Sequence, residues 1–282
     1  YHRKIKNIEI KTGSNLRVSE ELKPQVVELN QVEVVSSNKE WQNDYAFFKK
    51  QFLGDSDFAD LSTIENPWVI DFEDTDNGKL AASASEPLIV ENRGLGYILY
   101  IELVNFEWST RGGGGSYLIY PRYESLEPES AAEEKSWHIN RAKNYYGSLR
   151  HFLKNLFRNR LDDKPFYIDK VRNIEPLTKG QTLFRLRQMG GIPRGRLGDY
   201  KGYRLYRETD ITYNYPAFVA FQGDTTKVLI NKNAQIEPNT NSELFFIDRK
   251  GNLLDPTSVT LFGTWAKNRV AHTLPDDYLP GN

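Results

Sequence analysis

Four histidines, His2, His138, His151 and His272, are the first groups in this 282-residue chain that could do chemistry. No two have the spacing that sets a pair of zinc ligands on one helix face, and no HExxH occurs. His151 follows Arg150 on an amphipathic stretch. A histidine placed there is expected to be structural unless a partner elsewhere makes it a general base. The GxSxG signature of a serine nucleophile is missing. Carboxylates such as Glu124, Glu127, Glu129, Asp162 and Asp163 are plentiful. Glycoside hydrolysis needs two of them at a set separation, which the sequence does not fix. Cysteine is absent, which removes disulfides, thiolate metal sites and a cysteine nucleophile from these residues. No catalytic residue, metal site or stably bound cofactor is therefore expected.

Two glycine-rich stretches could meet ligands. The loop Gly190-Gly191-Ile192-Pro193-Arg194-Gly195-Arg196-Leu197-Gly198 sets two guanidinium forks on a pliable backbone. Arg194 and Arg196 there suit phosphate or carboxylate groups, although a mobile exposed loop would look the same. The run Gly112–Gly115 lacks the following Lys-Ser/Thr of a phosphate loop and reads as a connection. Net charge is −1, yet residues 141–207 hold 17 Lys and Arg against five Asp and Glu. That excess could face an anionic partner, or it could be cancelled by acidic elements packed beside it. Arg150, His151, Arg194 and Arg196 are the candidate ligand-binding residues of this basic region.

The elements that must position these groups read as an α+β chain, mostly antiparallel β with a long central helix or a kinked helix pair. Ser130 to Arg160 is the longest helical stretch. Ser130 and Glu133 make a capping box, and Trp137, Arg141, Tyr145, Leu149, Leu153 and Phe157 recur at steps of four. Gly147-Ser148 interrupts the pattern, and Ser148 could cap a second helix. Ser37 and Glu40 open an earlier helix with Trp41, Tyr45, Phe48 and Phe52 on one face and Gly54 as its stop.

Around these helices the chain reads as strand. Residues 1–36 hold three strands that look like the end of a small β-sandwich, separate from a main α+β domain over 37–282. Strands are expected at Trp68–Phe72, Lys79–Ser83 and Pro87–Glu91, with a hairpin turn at Asp76-Asn77-Gly78. Gly96–Trp108 is apolar on both faces at its start, as a central strand should be, and Ser116–Tyr120 returns beside it. Phe166–Val171, Thr182–Arg187, Tyr203–Glu208, Ala217–Phe221, Lys227–Asn231 and Glu243–Asp248 follow as further strands. Strand and helix do not alternate, so a parallel sheet is not expected. No run of about 18 apolar residues exists to cross a membrane as a helix. The chain opens on Tyr1 and has a single methionine, Met189, as expected for a piece of a longer product.

Several segments together resemble a Bacteroidota family of carboxypeptidase-regulatory-like-domain proteins. They are ELKPQVVELNQVEVV (21–35), KEWQNDYAFFKKQFLG (39–54), ASEPLIVENRGLGYILYIELVNFEW (84–108), NRAKNYYGSLRHFLKNLF (140–157) and GNLLDPTSVTLFGTWAKNRVAHTLPDDYLP (251–280). The glycine run at 112–115 departs from the family pattern. The resemblance implies an exported protein, periplasmic or associated with the outer membrane, whose amino-terminal strands close a regulatory-like sandwich. In such families that sandwich commonly precedes outer-membrane barrels and transporters. Peptidase activity is not implied. The expectation is a non-enzymatic accessory protein that docks to an outer-membrane protein complex. A module for anionic glycan or lipopolysaccharide is the alternative, and a hydrolase with dispersed acids is a third. Nucleic acid is not an expected partner.

Overall fold

The helix α1 (Lys39–Leu53) forms because its aromatic residues fall at helical steps. Phe48 and Phe52 are fully buried, stack at 4.8 Å, and meet the Phe106 ring at 4.7 and 6.4 Å. Gly54 ends the helix at φ +106°. The computed structural model describes residues 39–75, 77–112, 114–160, 166–168, 174–190, 196–205, 209–218, 227–238 and 244–280. The three strands expected over 1–36 lie outside the described residues. The described residues fall into two compact units, one of 39–140 with Asn268–Pro275, the other of Arg141–Lys267 with 276–280.

The first unit is a six-stranded antiparallel sheet. A short helix α2 (Asp57–Asp60) leads into β1 (Ser62–Ile64), followed by β2 (Ile70–Thr75), β3 (Lys79–Ala84), β4 (Leu88–Asn92), β5 (Tyr97–Ser109) and β6 (Gly115–Ser125). The order is β1-β4-β5-β3-β2, with β6 along the other side of β5. The 13-residue β5 is central, as its two apolar faces predict. One side is shared by β4 and β3, and β6 covers the other. Its buried residues Tyr97, Leu99, Ile101, Leu103, Phe106 and Trp108 face the same core as Phe48 and Phe52. A bulge between Leu103 and Asn105 keeps the apolar face inward. The segment Asn268–Pro275 completes this unit. Asn92 Nδ2 donates to the Ala271 carbonyl at 2.9 Å, Ser56 Oγ pairs with His272 Nε2 at 2.8 Å, and the Arg269 guanidinium lies 4.3 Å over the Trp108 ring.

Between the expected long helix and helix pair, the pair is what forms. The first, α3 (Ala131–Tyr145), has half of the expected capping box: Ser130 Oγ accepts from the Glu133 N–H, but the Glu133 carboxylate accepts from the Glu129 N–H and not from that of Ser130. The division between units falls inside this helix, between Asn140 and Arg141. Trp137 is buried in the first unit, where its Nε1 donates to the Arg93 carbonyl at 2.6 Å. Gly147 then takes φ +79°, which no continuing helix allows, and Ser148 caps α4 (Leu149–Phe157) by accepting from the His151 N–H. The apolar stripe is thus shared between two cores rather than covered by one sheet.

The second unit packs α4 among two antiparallel sheets. The strands β7 (Phe166–Ile168) and β8 (Ile174–Pro176) precede the helix α5 (Lys179–Gln188), and β9 (Tyr200–Leu205), β10 (Thr209–Phe218), β11 (Lys227–Pro238), β12 (Leu244–Asp248) and β13 (Val259–Phe262) follow it. One sheet runs β13-β11-β10-β7 and the other β12-β9-β8. Phe152, Leu153 and Leu156 of α4 share a core with Phe166, Tyr203, Leu205, Phe245, Ile247 and Trp265. Trp265 sits in the last helix, α6 (Gly263–Lys267). Every strand pairing among the described residues is antiparallel.

One expected strand is a helix. Thr182–Arg187 lies within α5. Thr178 Oγ1 accepts from the Gln181 N–H, and the Gln181 side chain accepts from the Thr178 N–H. Thr182, Phe184 and Leu186 alternate as the residues on one face of a strand would. The helix buries Thr182 and Leu186, one turn apart, and leaves Phe184 59% exposed. The capping box outweighs six residues of alternation.

Candidate functional site

Helical pitch sets Arg150 and Lys154 on one stripe of α4, and Arg158, its C-cap residue, follows one turn later. Lys154 is 9% exposed, so a lysine stem runs through the interior of the second unit. The turn at Gly251 is what encloses it. A Cβ on Gly251 would press on the Arg150 carbonyl and the Lys154 amide, so only glycine lets this turn lie against the helix.

Tyr145, at the end of α3, lies under two of the three cations. Its ring centroid is 5.9 Å from the Arg150 Cζ and 6.0 Å from the Lys154 Nζ, and the Tyr278 ring stands 6.0 Å away. Arg150 Nη2 donates to the carbonyls of Tyr278, at 2.8 Å, and Asp276, which ties residues 276–278 to the helix. Arg158 is exposed, and its charge is felt at both Lys154 and Tyr145. Burial holds the Lys154 ammonium below the usual lysine range, and Arg158 and Arg150 push it the same way. Burial raises the Tyr145 hydroxyl, while Arg150 and Arg158 oppose that rise.

His151 sits one residue away but faces a different environment. Its Nδ1 accepts from the Gly147 N–H at 3.2 Å, which puts the proton of the neutral ring on Nε2. Tyr145, Tyr146 and Phe166 surround the ring, with centroids at 5.3, 5.3 and 5.1 Å. Burial pushes its pKa down to about 4, and the Lys154 charge adds to the effect. This is a neutral histidine that anchors the break between α3 and α4.

Three of the four expected binding residues are among the described ones. Arg150 and His151 are neighbours on α4. Arg196 is exposed at the start of a turn over Leu197–Asp199, where its N–H donates to the Asp199 carboxylate at 2.7 Å. Arg194 lies outside the described residues. Beside the Arg196 turn is a cavity of about 450 Å³, lined among others by Asn159, Lys179, Thr182, Leu197 and Tyr200. Its Lys201 is already engaged, donating to the Phe157 carbonyl and to Asn159 Oδ1. Among the described residues, no group of three or more His, Asp and Glu could hold a metal ion. The expectations for Asp162 and Asp163 lie outside the described residues.

Sequence reasoning named Arg150 but passed over Tyr145, Lys154, Arg158 and Tyr278. The Arg-x-x-x-Lys-x-x-x-Arg spacing was the one available signal. Compared with known proteins, the chain matches no family model, and no curated protein or solved structure is significantly similar to it.

Proposed function

We propose that this chain is a non-enzymatic accessory protein of the bacterial envelope that docks to an outer-membrane barrel or to its assembly and transport machinery. The observation that supports this reading is the outward face of the six-stranded sheet. Along β5 the residues Ile98, Tyr100 and Glu102 point away from the core, and none belongs to the core cluster. Their partners on β6 are Glu124, Arg122 and Tyr120. Arg122 lies 4.3 Å over the Tyr100 ring. Val104 at the bulge is 41% exposed and Tyr120 is 61% exposed. Among the described residues the 11-residue β6 pairs only with β5. Aromatic side chains interleaved with charge suit recognition of protein. The resemblance to an envelope family supplies the compartment.

The test is a pull-down from detergent-solubilised outer membrane with the intact chain and with Tyr120→Ser. The reading expects a barrel protein with the first and its loss with the second. Recovery of the chain alone, in both cases, would overturn it.

A further inference from the structure

We propose that the cavity between the start of α5, the strand β9 and the Leu197–Asp199 turn binds a small organic carboxylate with an apolar body. The inference stands apart from the docking reading, since the cavity lies in the second unit and the sheet face lies in the first. Its volume of about 450 Å³ falls within the roughly 300–1,000 Å³ typical of small-molecule sites. Much of its wall is apolar. Leu177 and Leu197 pack on the small core of Leu186, Tyr200 and Phe246, and both line the cavity together with Tyr200. Gly202 is part of the same wall. A Cβ there would strike the Phe246 ring and the Leu177 side chain, so glycine lets the strand close on them.

Polar groups reach this space from two elements. On β9, Lys201 Nζ donates to the Phe157 carbonyl and to Asn159 Oδ1. Both acceptors are neutral, so they fix the ammonium in place without cancelling its charge, and an ammonium has three protons to give. On α5, Thr182 lines the cavity although it is only 3% exposed. Its hydroxyl is a donor and acceptor held at the edge of the core. Lys179, the first residue of α5, lines the same cavity. A cation at a helix start opposes the helix dipole, and a bound anion would be favoured by both.

A simpler purpose for Lys201 is to meet the last carbonyls of α4, and its bond to Phe157 does so. That purpose does not account for Lys179 and Thr182, which come from another helix and converge on the same space. Nor does the acid of the adjoining turn supply the missing charge. The Asp199 carboxylate accepts from the Arg196 N–H and pairs with Arg249, each at 2.7 Å. A carboxylate can accept from an ammonium and a hydroxyl with its two oxygens. An apolar body behind it would fill the wall of Leu177, Leu197 and Tyr200, which a small hydrated ion would leave unmatched.

Isothermal titration calorimetry on the full chain tests this with four probes: octanoate, phenylacetate, octanol and inorganic phosphate. Binding of either carboxylate, with octanol and phosphate about tenfold weaker or absent, supports the proposal. The tighter carboxylate assigns the body as chain or ring. Lys201→Met, which keeps the stem and drops the ammonium, should weaken carboxylate binding about tenfold. Thr182→Val, which keeps the buried volume and drops the hydroxyl, should weaken it about fivefold. The second variant leaves the end of α4 untouched and carries the test if the first does not fold. Arg185→Gln, on the exposed side of α5, is the control for general charge and should leave affinity unchanged. Absence of binding by both carboxylates in the wild-type chain overturns the proposal. Octanol or phosphate binding as tightly as the carboxylates does the same. So does carboxylate affinity that Thr182→Val leaves intact, or that Thr182→Val and Arg185→Gln weaken equally.

Discussion

Trp137 lies directly over Gly96. The glycine holds φ +68°, and any Cβ there would overlap the indole ring. The same indole donates to the Arg93 carbonyl, and Asn140, one turn on, donates to the Gly94 carbonyl at 2.9 Å. A single tight turn, Arg93 to Gly96, thus receives the start of α3 and fixes it to the sheet. Gly96→Ala should lower the unfolding free energy by about 2–4 kcal/mol, because it combines a positive-φ penalty with overpacking against a rigid ring. Trp137→Phe, which keeps the packing and drops the hydrogen bond, should cost about 1 kcal/mol. Urea denaturation followed by circular dichroism checks both, and a Gly96→Ala cost below that of Trp137→Phe would contradict the geometry.

His151 makes stability depend on pH. Its folded pKa, about 4, lies below the ordinary 6.5, so the unfolded chain takes up the proton first as pH falls. The neutral ring's contribution is complete above pH 6.5, declines between there and about 4, and is flat below. The full effect is on the order of 2 kcal/mol, from roughly 1.4 kcal/mol per pKa unit with allowance for partial solvent access. His151→Gln should remove this component of the pH profile. A wild-type midpoint in urea that stays constant from pH 7 to pH 4.5, and matches the variant's trend, would show that the ring is not held neutral.

Much of this fold is legible from local pattern, and the exceptions have physical causes. The aromatic ladder of α1, its Gly54 stop and the central place of β5 follow directly from periodicity. The break at Gly147 was readable because glycine and a capping serine stand side by side. Thr182–Arg187 was misread because alternation over six residues is satisfied equally by one buried turn of helix, and the capping residues Thr178 and Gln181 lie before that window. Thr178→Ala should accordingly cost α5 about 1 kcal/mol, a loss visible in the same denaturation curves. The candidate site was only half legible. Arg150 was identifiable by type, whereas the burial of Lys154 depends on Gly251, almost one hundred positions later, lying against the helix. No local signal marks a lysine as enclosed.

The end of α4 offers a test that does not involve charge. The Tyr203 hydroxyl is buried and donates to the Leu156 carbonyl, one of the acceptors left over when a helix stops. Burial also pushes that hydroxyl above its ordinary pKa, so it remains a donor across any practical pH. Tyr203→Phe keeps the ring stacked on Phe245, at 5.6 Å, and removes only the donor. The expected cost is about 1–2 kcal/mol, since a buried carbonyl is left without its partner. A change within experimental error would mean that water serves the carbonyl equally well.

The paired strands β5 and β6 allow fold and docking to be separated. Phe106 points inward, is 1% exposed, and meets both Phe48 and Phe52. Removing its ring opens a cavity in the core of the first unit, so Phe106→Ala should cost about 3–5 kcal/mol. Tyr120, on the outward face, has no such role: Tyr120→Ser should shift stability by no more than about 0.5 kcal/mol, as exposed substitutions do. If the outward face serves recognition, Tyr120→Ser must lose the partner while keeping the wild-type denaturation midpoint. Coupled loss of partner and stability would instead make Tyr120 part of the structural support, and the docking surface would have to be sought on another face of the unit.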